Sequence, residues 1–442
     1  MKKILLIGTG AREHCIAEAL TRNGRAEVFT YGKARNPGLV ALSKDYHLGG
    51  LTDFESLAAY AREIKPDFAF IGPDDPIGDG VADLLLKQEI HSVAPLQTVA
   101  RLESSKSFTR DLVEKYKIPG NPKFKVFYDM NGVAGWIKSL GGNFVVKADG
   151  LMGGKGVLVS GDHLHSEDEG VACAQNFIKQ SGRVVIEEKL VGQEFSLMSF
   201  VDGTHVVDMP PVQDHKRAFV GDTGPNTGGM GTYSDANHLL PFLTPQDLAD
   251  AHAITEKVAA ALFQETGTRF KGIMYGGFMA VKDGVRLIEY NARFGDPEVM
   301  NVLPILKTDF VEVCEAIIAG TLDTIKIEFE KKATVCKYVV PEGYPDAPKS
   351  NQKIEVLPPG RDADAARMYY SSVDERADGL YLSSSRAVAF VGIADDLVHA
   401  EQIAEAACAR VKGPVFHRED VGTGALIQKR VEMMWGLRPV CS

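Results

Sequence analysis

The first hundred residues alternate short apolar runs with amphipathic stretches. Ile4–Ile7, Val28–Tyr31, Phe68–Ile71 and His91–Ala94 read as buried strands. Residues around Ile16–Leu20, Phe54–Ile64 and Ile77–Gln88 carry helical spacing between them. This alternation predicts βαβ units and a parallel sheet, with ligands at the C-terminal ends of the strands. After Pro95 the rhythm changes. Ser107–Tyr116 reads as a helix, and Pro119 and Pro122 mark a boundary. β-type runs follow at Phe124–Tyr128, Phe144–Lys147, Val157–Ser160, Val184–Glu188 and Phe195–Val201. Residues 245–265 are again helical in pattern. Met274–Val281 and Val285–Tyr290 flank Lys282-Asp283-Gly284, a hairpin signal. A turn at Asp283-Gly284 would set Gly276 opposite Asn291. Beyond the charged stretch Glu328–Lys332, strands are expected near 334–340 and 387–393.

The pattern thus gives three units: an N-terminal parallel α/β domain (1–103), a large mixed centre (104–328) and a C-terminal α+β domain (329–442). A length of 442 residues agrees with about three domains. A net charge of −10 argues against a general polyanion binder but leaves room for a local basic pocket. Six cysteines are scattered without a C-x-x-C pair, which suits a reducing compartment and neither zinc nor disulfides. The run Ile4–Ile7 is too short for a signal or membrane segment. A soluble, cytoplasmic protein that binds neither nucleic acid nor membrane is expected.

Three glycine-rich segments carry candidate chemistry. In Gly8-Thr9-Gly10-Ala11-Arg12-Glu13-His14, a strand–turn–helix unit offers free N–H groups and a positive helix end to an anion. It departs from the dinucleotide fingerprint, because Glu13 replaces the third glycine and the second strand ends in Tyr31-Gly32 with no acid. Arg12 and His14 beside the turn suit a monophosphate; a plain tight turn is the alternative. In Lys147-Ala148-Asp149-Gly150-Leu151-Met152-Gly153-Gly154-Lys155-Gly156, Lys155 precedes Gly156 rather than Ser or Thr, so this is no Walker A loop. Flanked by strands, it can fold over a triphosphate, or be a mobile hairpin tip. The third, Gln213–Arg217 followed by Asn226-Thr227-Gly228-Gly229-Met230-Gly231, sets charged side chains beside an irregular loop, and an exposed turn fits equally.

Glu289 and Asn291 stand two apart on a strand and share one face. One carboxylate and one amide oxygen suit Mg²⁺, which takes few protein ligands and fills the rest with water and phosphate. A surface strand with a solvated Glu is the plain alternative. Val184–Glu188, Leu190 and Glu194 suit an adenosine slot, or are only an acidic strand end.

The run Arg293-Phe294-Gly295-Asp296-Pro297-Glu298-Val299-Met300 resembles the signature of phosphoribosylamine–glycine ligases, also called glycinamide ribonucleotide synthetases. Met1–Leu20, Ile71–Asp83, Lys147–Val159, Gln213–Gly231 and Ile273–Pro304 resemble that family's segments in the same order. Ala333–Pro345, Arg386–Gly392 and His417–Gly422 do so more loosely. The resemblance implies an ATP-grasp fold, with ATP between a small lid (about 122–192) and the central body. It implies ATP-dependent ligation of glycine to 5-phosphoribosylamine in purine synthesis, through glycyl phosphate, with Mg²⁺ or Mn²⁺. Transient handover of the amine from the enzyme that makes it is a further expectation.

Carried over by motif, Lys106 and Lys147 contact ATP phosphates, beneath a flap that includes Gly150, Gly153, Gly154, Lys155 and Gly156. Glu187, Glu188, Leu190 and Glu194 line the adenosine pocket, and Glu289 and Asn291 hold the metal. Gly10, Arg12, Glu13 and His14 belong to the phosphoribosylamine site, with Asp214, Lys216, Asn226, Thr227, Gly228 and Gly229. Arg293 faces the reacting carboxylate, and Asp214 is the candidate acceptor of the amine's proton. Departures include Ala11 and Cys15 where the family has Gly and Ala. Gly277 stands where some relatives offer a metal-binding glutamine. The rival readings are a related ATP-grasp ligase or carboxylase and a non-catalytic nucleotide-binding module.

Overall fold

The computed structural model describes residues 1–151, 156–358 and 366–438. The N-terminal strands β1 (Lys2–Ile7), β2 (Ala26–Gly32), β3 (Ser43–Leu48), β4 (Phe68–Ile71) and β5 (Ser92–Val93) form one parallel sheet in the order β3-β2-β1-β4-β5. The chain leaves β1 to build β2 on one side and β4 on the other. The crevice at their C-terminal ends is therefore the topological switch point, where open α/β sheets hold ligands. Gly8–Gly10 and Gly72–Asp74 line it. The helix Ala11–Thr21 starts there, with the Glu13 carboxylate reaching back to accept from Gly10 N–H at 2.6 Å.

Two differences from the pattern reading have local causes. The stretch 77–88 breaks into helices Asp74–Gly78 and Val81–Leu86, because Gly80 takes a left-handed turn (φ +89°). The edge strand β3, with sequence SKDYHL, has no apolar alternation to reveal it; its polar side chains suit an open sheet edge. A helix Gln97–Ser104 also precedes the expected one, which runs from Lys106 to Lys115.

Strands β6 (Phe124–Phe127), β7 (Phe144–Ala148), β8 (Val157–Val159) and β9 (Val184–Glu188) make an antiparallel sheet in the order β6-β9-β7-β8. Helices Val133–Ser139 and Glu167–Ser181 cover it, enclosing a separate core of Phe127, Ile137, Phe144, Val146, Phe177 and Ile186. A small body with its own core can move as a unit.

The centre is a second antiparallel sheet of β10 (Gly192–Asp202), β11 (Val206–Asp208) and the hairpin Lys271–Val281/Gly284–Asn291, packed on the helix Pro245–Thr266. A further sheet crosses the boundary expected near 328. Strands Gln213–Asp214 and Gly231–Ser234 join Ala333–Pro341, Val388–Ala394 and Arg367–Tyr370. Among the described residues no helix is long and apolar enough to cross a membrane. The five described cysteines are free and buried, and Cys441 lies outside the described residues.

The hairpin differs from expectation in register. Its turn is Lys282-Asp283, since Val281 pairs with Gly284. Gly277 pairs with Glu289 and Phe278 with Leu287, leaving Ile288 as an extra, bulged residue. Tyr275, not Gly276, therefore lies opposite Asn291. Val285 and Leu287 pack towards the long helix, and so does Tyr290, whose hydroxyl meets Thr255 Oγ1 at 3.0 Å. The bulge thus switches the alternation, turning Glu289 and Asn291 away from that helix into the cleft beneath the lid.

Candidate active site

The cleft floor is organised by a buried arginine. Arg110, on the helix Lys106–Lys115, donates through Nε and Nη2 to the two Glu187 oxygens at 2.5 and 3.0 Å. It also donates to the carbonyls of Leu287 and Ile288 at 3.0 and 2.7 Å, using the bulge as an acceptor. Lys147 ion-pairs with Glu187 at 2.7 Å and donates to the Ile288 carbonyl at 3.1 Å. Burial raises the Glu187 carboxyl, but Arg110 and Lys147 outweigh it and bring it to about 2. Burial lowers the Lys147 ammonium, against the pull of Glu187. Glu187 was expected in the adenosine pocket; its carboxylate is instead committed to holding Lys147. Arg110 was missed, although it stands one helical turn beyond Lys106.

The flap is tied at its base. Asp149 accepts from Ser107 N–H (3.2 Å), Ser107 Oγ (2.6 Å) and Ser105 Oγ (3.2 Å), and pairs with Arg183. The Lys106 ammonium donates to the Gly150 carbonyl at 2.9 Å. Ala148 N–H donates to the Gly156 carbonyl, closing the other end. Gly153, Gly154 and Lys155 lie outside the described residues. Glu188 accepts from Lys123 N–H at 2.8 Å, Leu190 is half-buried, and Glu194 pairs with Lys216 at 3.1 Å.

Glu289 sits among four cations without making a hydrogen bond to any described residue, and the Asn291 side chain makes none either. Burial pushes the Glu289 carboxyl up, yet Lys216, Lys106, Lys147 and Arg293 hold it below the ordinary range. A charged carboxylate and a nearby amide, both without partners among the described residues, form a hard-oxygen donor set that fits Mg²⁺ or Mn²⁺.

Towards the N-terminal crevice, Arg293 pairs with Glu103 at 3.0 Å, and Glu103 accepts from Ala292 N–H at 2.8 Å. The buried Arg293 Nε has no partner among the described residues. Arg12 donates to Glu13 at 2.6 Å and to the Phe294 carbonyl at 3.3 Å. Arg12 and Arg293 together hold Asp74 below its usual range, against burial. Two expected ligands are used internally. Both Glu13 oxygens serve the loop, with Gly72 so close that a Cβ there would lie 2.1 Å from Oε1. His14 accepts from Tyr370 N–H at 3.0 Å between two tyrosine rings, and burial lowers it to about 4. It is neutral at neutral pH, so the positive charge in this loop is Arg12's.

On the opposite wall, Asp214 accepts from His215 N–H at 2.7 Å. Burial and the neighbouring Glu298 raise its carboxyl well above the ordinary range. Glu298 accepts from Tyr275 Oη at 2.8 Å, and burial raises it too. Lys216 is held protonated first by Glu194, then Glu289 and Asp214. Thr227 ties its loop to the Lys216 carbonyl at 2.7 and 2.8 Å, and Gly228 and Gly229 follow on the same wall. Asn226 does not join them; its amide faces His163 of the lid at 3.4 Å. Glu103, Asp74, Glu298 and Tyr275 were not singled out from sequence, because each gains meaning only from partners distant in the chain.

The order of segments along the chain agrees with three family descriptions. The phosphoribosylglycinamide synthetase N domain matches residues 2–103, the ATP-grasp (A) domain 104–299 and the C domain 334–424. The chain belongs to the phosphoribosylglycinamide synthetase family. It is 48% identical over 437 residues to a phosphoribosylamine–glycine ligase of Methanococcus maripaludis, covering 97% of this chain and 98% of that one. The crystal structure of phosphoribosylamine–glycine ligase from Thermotoga maritima superposes with a TM-score of 0.80 at 27% identity, covering 95% and 99% of the two chains. The biotin carboxylase domain of the Hydrogenobacter thermophilus 2-oxoglutarate carboxylase, solved with MgADP, shares the fold. Its TM-score is 0.71 at 16% identity, with 98% and 93% covered.

Proposed function

We propose that the chain joins glycine to 5-phosphoribosylamine at the expense of ATP, giving glycinamide ribonucleotide, ADP and phosphate through glycyl phosphate. The observation that carries this reading is the buried Glu289 carboxylate, which has no hydrogen-bond partner among the described residues and is held charged by Lys216, Lys106, Lys147 and Arg293. That is a place for phosphate oxygens and a cation together, not for an ordinary surface acid.

Glu289 and Asn291 would hold Mg²⁺ or Mn²⁺, which when bound draws charge from the phosphate oxygens being transferred. Lys106 and Lys147 neutralise the triphosphate, while the flap 150–156 excludes water. Glu188, Leu190 and Glu194 line the adenosine side, and Glu187 acts one step removed by fixing Lys147. The Arg293 guanidinium, braced by Glu103, orients the glycine carboxylate for phosphorylation. Arg12 and the free N–H groups that open the helix Ala11–Thr21 receive the phosphate of phosphoribosylamine. Its amine then attacks the acyl carbon and expels phosphate. Asp214, made more basic by burial beside Glu298, takes the amine's proton.

The division at 103/104 and 328/329, with a lid over about 122–192, belongs to the same proposal, supported for the lid by its separate core. So does transient handover of the amine from the enzyme that makes it; a trap for free amine would then leave the coupled flux unchanged. The direct test is ADP release with glycine and phosphoribosylamine omitted in turn. Release should require glycine and be greatest with both substrates. Release that is indifferent to glycine would refute the ligase reading.

A further inference from the structure

Arg386, on the loop before the strand Val388–Ala394, reaches out of the C-terminal region into the wall of the site. Its Nη1 donates to three main-chain carbonyls: Gly228 at 2.7 Å, Gly229 at 3.0 Å and Asp296 at 3.1 Å. Its Nη2 lies 3.3 Å from Asp296 Oδ1, which also accepts from Tyr338 Oη at 2.6 Å. The guanidinium packs 4.4 Å over the Tyr338 ring, and only 13% of the side chain is exposed. One planar group thus bridges the Gly228–Gly229 loop and the 293–298 loop, which have no strand pairing to fix their separation.

That separation has little slack. Gly229 has φ +108°, and a Cβ there would lie 2.8 Å from Asp214 Oδ1 and 2.7 Å from Pro297 Cδ. A Cβ at Gly228 would lie 3.2 Å from Arg386 Cζ. The Gly229 main chain thus packs closely against both the Asp214 carboxylate and the 293–298 loop.

We infer that Arg386 is a positioning residue for the amine half of the reaction: it sets the gap between the Asp214 wall and the Arg293–Glu298 wall in which phosphoribosylamine meets the activated glycine. The inference rests on the ligase reading proposed above. Lysine cannot substitute, because a point charge on a flexible stem does not span three carbonyls and a carboxylate in one plane. The nucleotide side is spared, since Arg386 touches neither the lid nor the Lys106–Lys147–Glu187 cluster.

The experiment compares wild type, Arg386→Ala and Arg386→Lys in steady-state assays that vary ATP, glycine and phosphoribosylamine separately, with thermal melts alongside. In both variants kcat/KM for phosphoribosylamine should fall by about 10-fold or more, while KM for ATP stays within about two-fold. If Arg386→Ala does not fold, Arg386→Lys carries the test alone. Equal changes for all three substrates, or an Arg386→Lys variant with wild-type kinetics, would overturn the assignment. Wild type without glycine-dependent ADP release would instead sink the ligase reading, which separates the two failures.

Discussion

At the scale of single residues, Glu187 illustrates how burial and pairing decide a group's worth. It sits below the surface with two cations on two oxygens. Replacing it by Gln would leave Arg110 and Lys147 buried without a counter-charge, which typically costs about 3–5 kcal/mol. Urea unfolding at pH 7 should show that loss for Glu187→Gln. Its folded value of about 2 lies below the unfolded 4.5, so the folded state binds fewer protons between the two. The contribution is whole above 4.5 and disappears as the pH falls towards 2. The stability gap between wild type and Glu187→Gln should therefore close over that window; a gap independent of pH would mean the ion pairs are not its source. Glu289 gives the complementary case. Because Glu289 has no hydrogen bond among the described residues, Glu289→Ala should still unfold cooperatively, yet lose at least about 100-fold in metal-dependent turnover. Near-wild-type ligation at ordinary Mg²⁺ would remove the metal assignment. The sequence singled out Glu289 and Arg12 because their motifs are local. Arg110 and Glu103 were not, since their partners Glu187 and Ala292 lie 77 and 189 residues away.

At the scale of elements, the apolar pattern located the buried strands of the N-terminal and central sheets but few of the helices, and it could not count residues across a pairing. The strand Gly284–Asn291 shows why. Side-chain alternation along it reverses at Ile288, and only pairing with Lys271–Val281 creates that bulge. The same hairpin and the 228–229 loop predict opposite outcomes for one kind of substitution. At Gly277 a Cβ would meet the Glu289 side chain and main chain at 3.5 Å, an ordinary contact in an extended strand. At Gly229 the positive φ and the contacts below 3 Å leave no room. Gly277→Ala should therefore retain kcat/KM within about three-fold, whereas Gly229→Ala should lose about 10-fold or more through displaced Asp214. Parallel assays with melting curves check both. Equal tolerance at the two positions would show that the Gly229 wall can relax.

At the scale of the whole molecule, the three units meet through contacts of unequal strength, and this sets what can move. The sheet that pairs Gly231–Ser234 with Ala333–Pro341 welds the centre to the C-terminal region. The small body around β6–β9, with its own core, reaches the Arg217–Asn226 segment through polar contacts at the turn after β8. There Asp162 lies 3.6 Å from Arg217, and His163 Nε2 faces the Asn226 amide at 3.4 Å. The Asp162 side chain is 44% exposed, so the pair contributes no more than about 0.2–1 kcal/mol. A pair this weak can act as a latch that opens readily. Three residues of strand, Val157–Val159, separate Gly156 from Ser160. Beyond the latch, Asp222 sits in the turn between the paired strands Arg217–Phe219 and Thr223–Asn226, and is held by Arg418 at 3.1 Å and by Arg430, which fixes that turn from behind. Asp162→Ala and Arg217→Ala should each raise KM for ATP by about two- to five-fold. Arg217 also donates to the Gly224 carbonyl at 2.8 Å, so its single substitution mixes two effects, and only a double-mutant cycle isolates the latch. The double variant should be no worse than Arg217→Ala alone, and exchanging the charges by Asp162→Arg with Arg217→Asp should recover part of the loss. Strictly additive effects would mean that the lid closes without reading the amine-side wall.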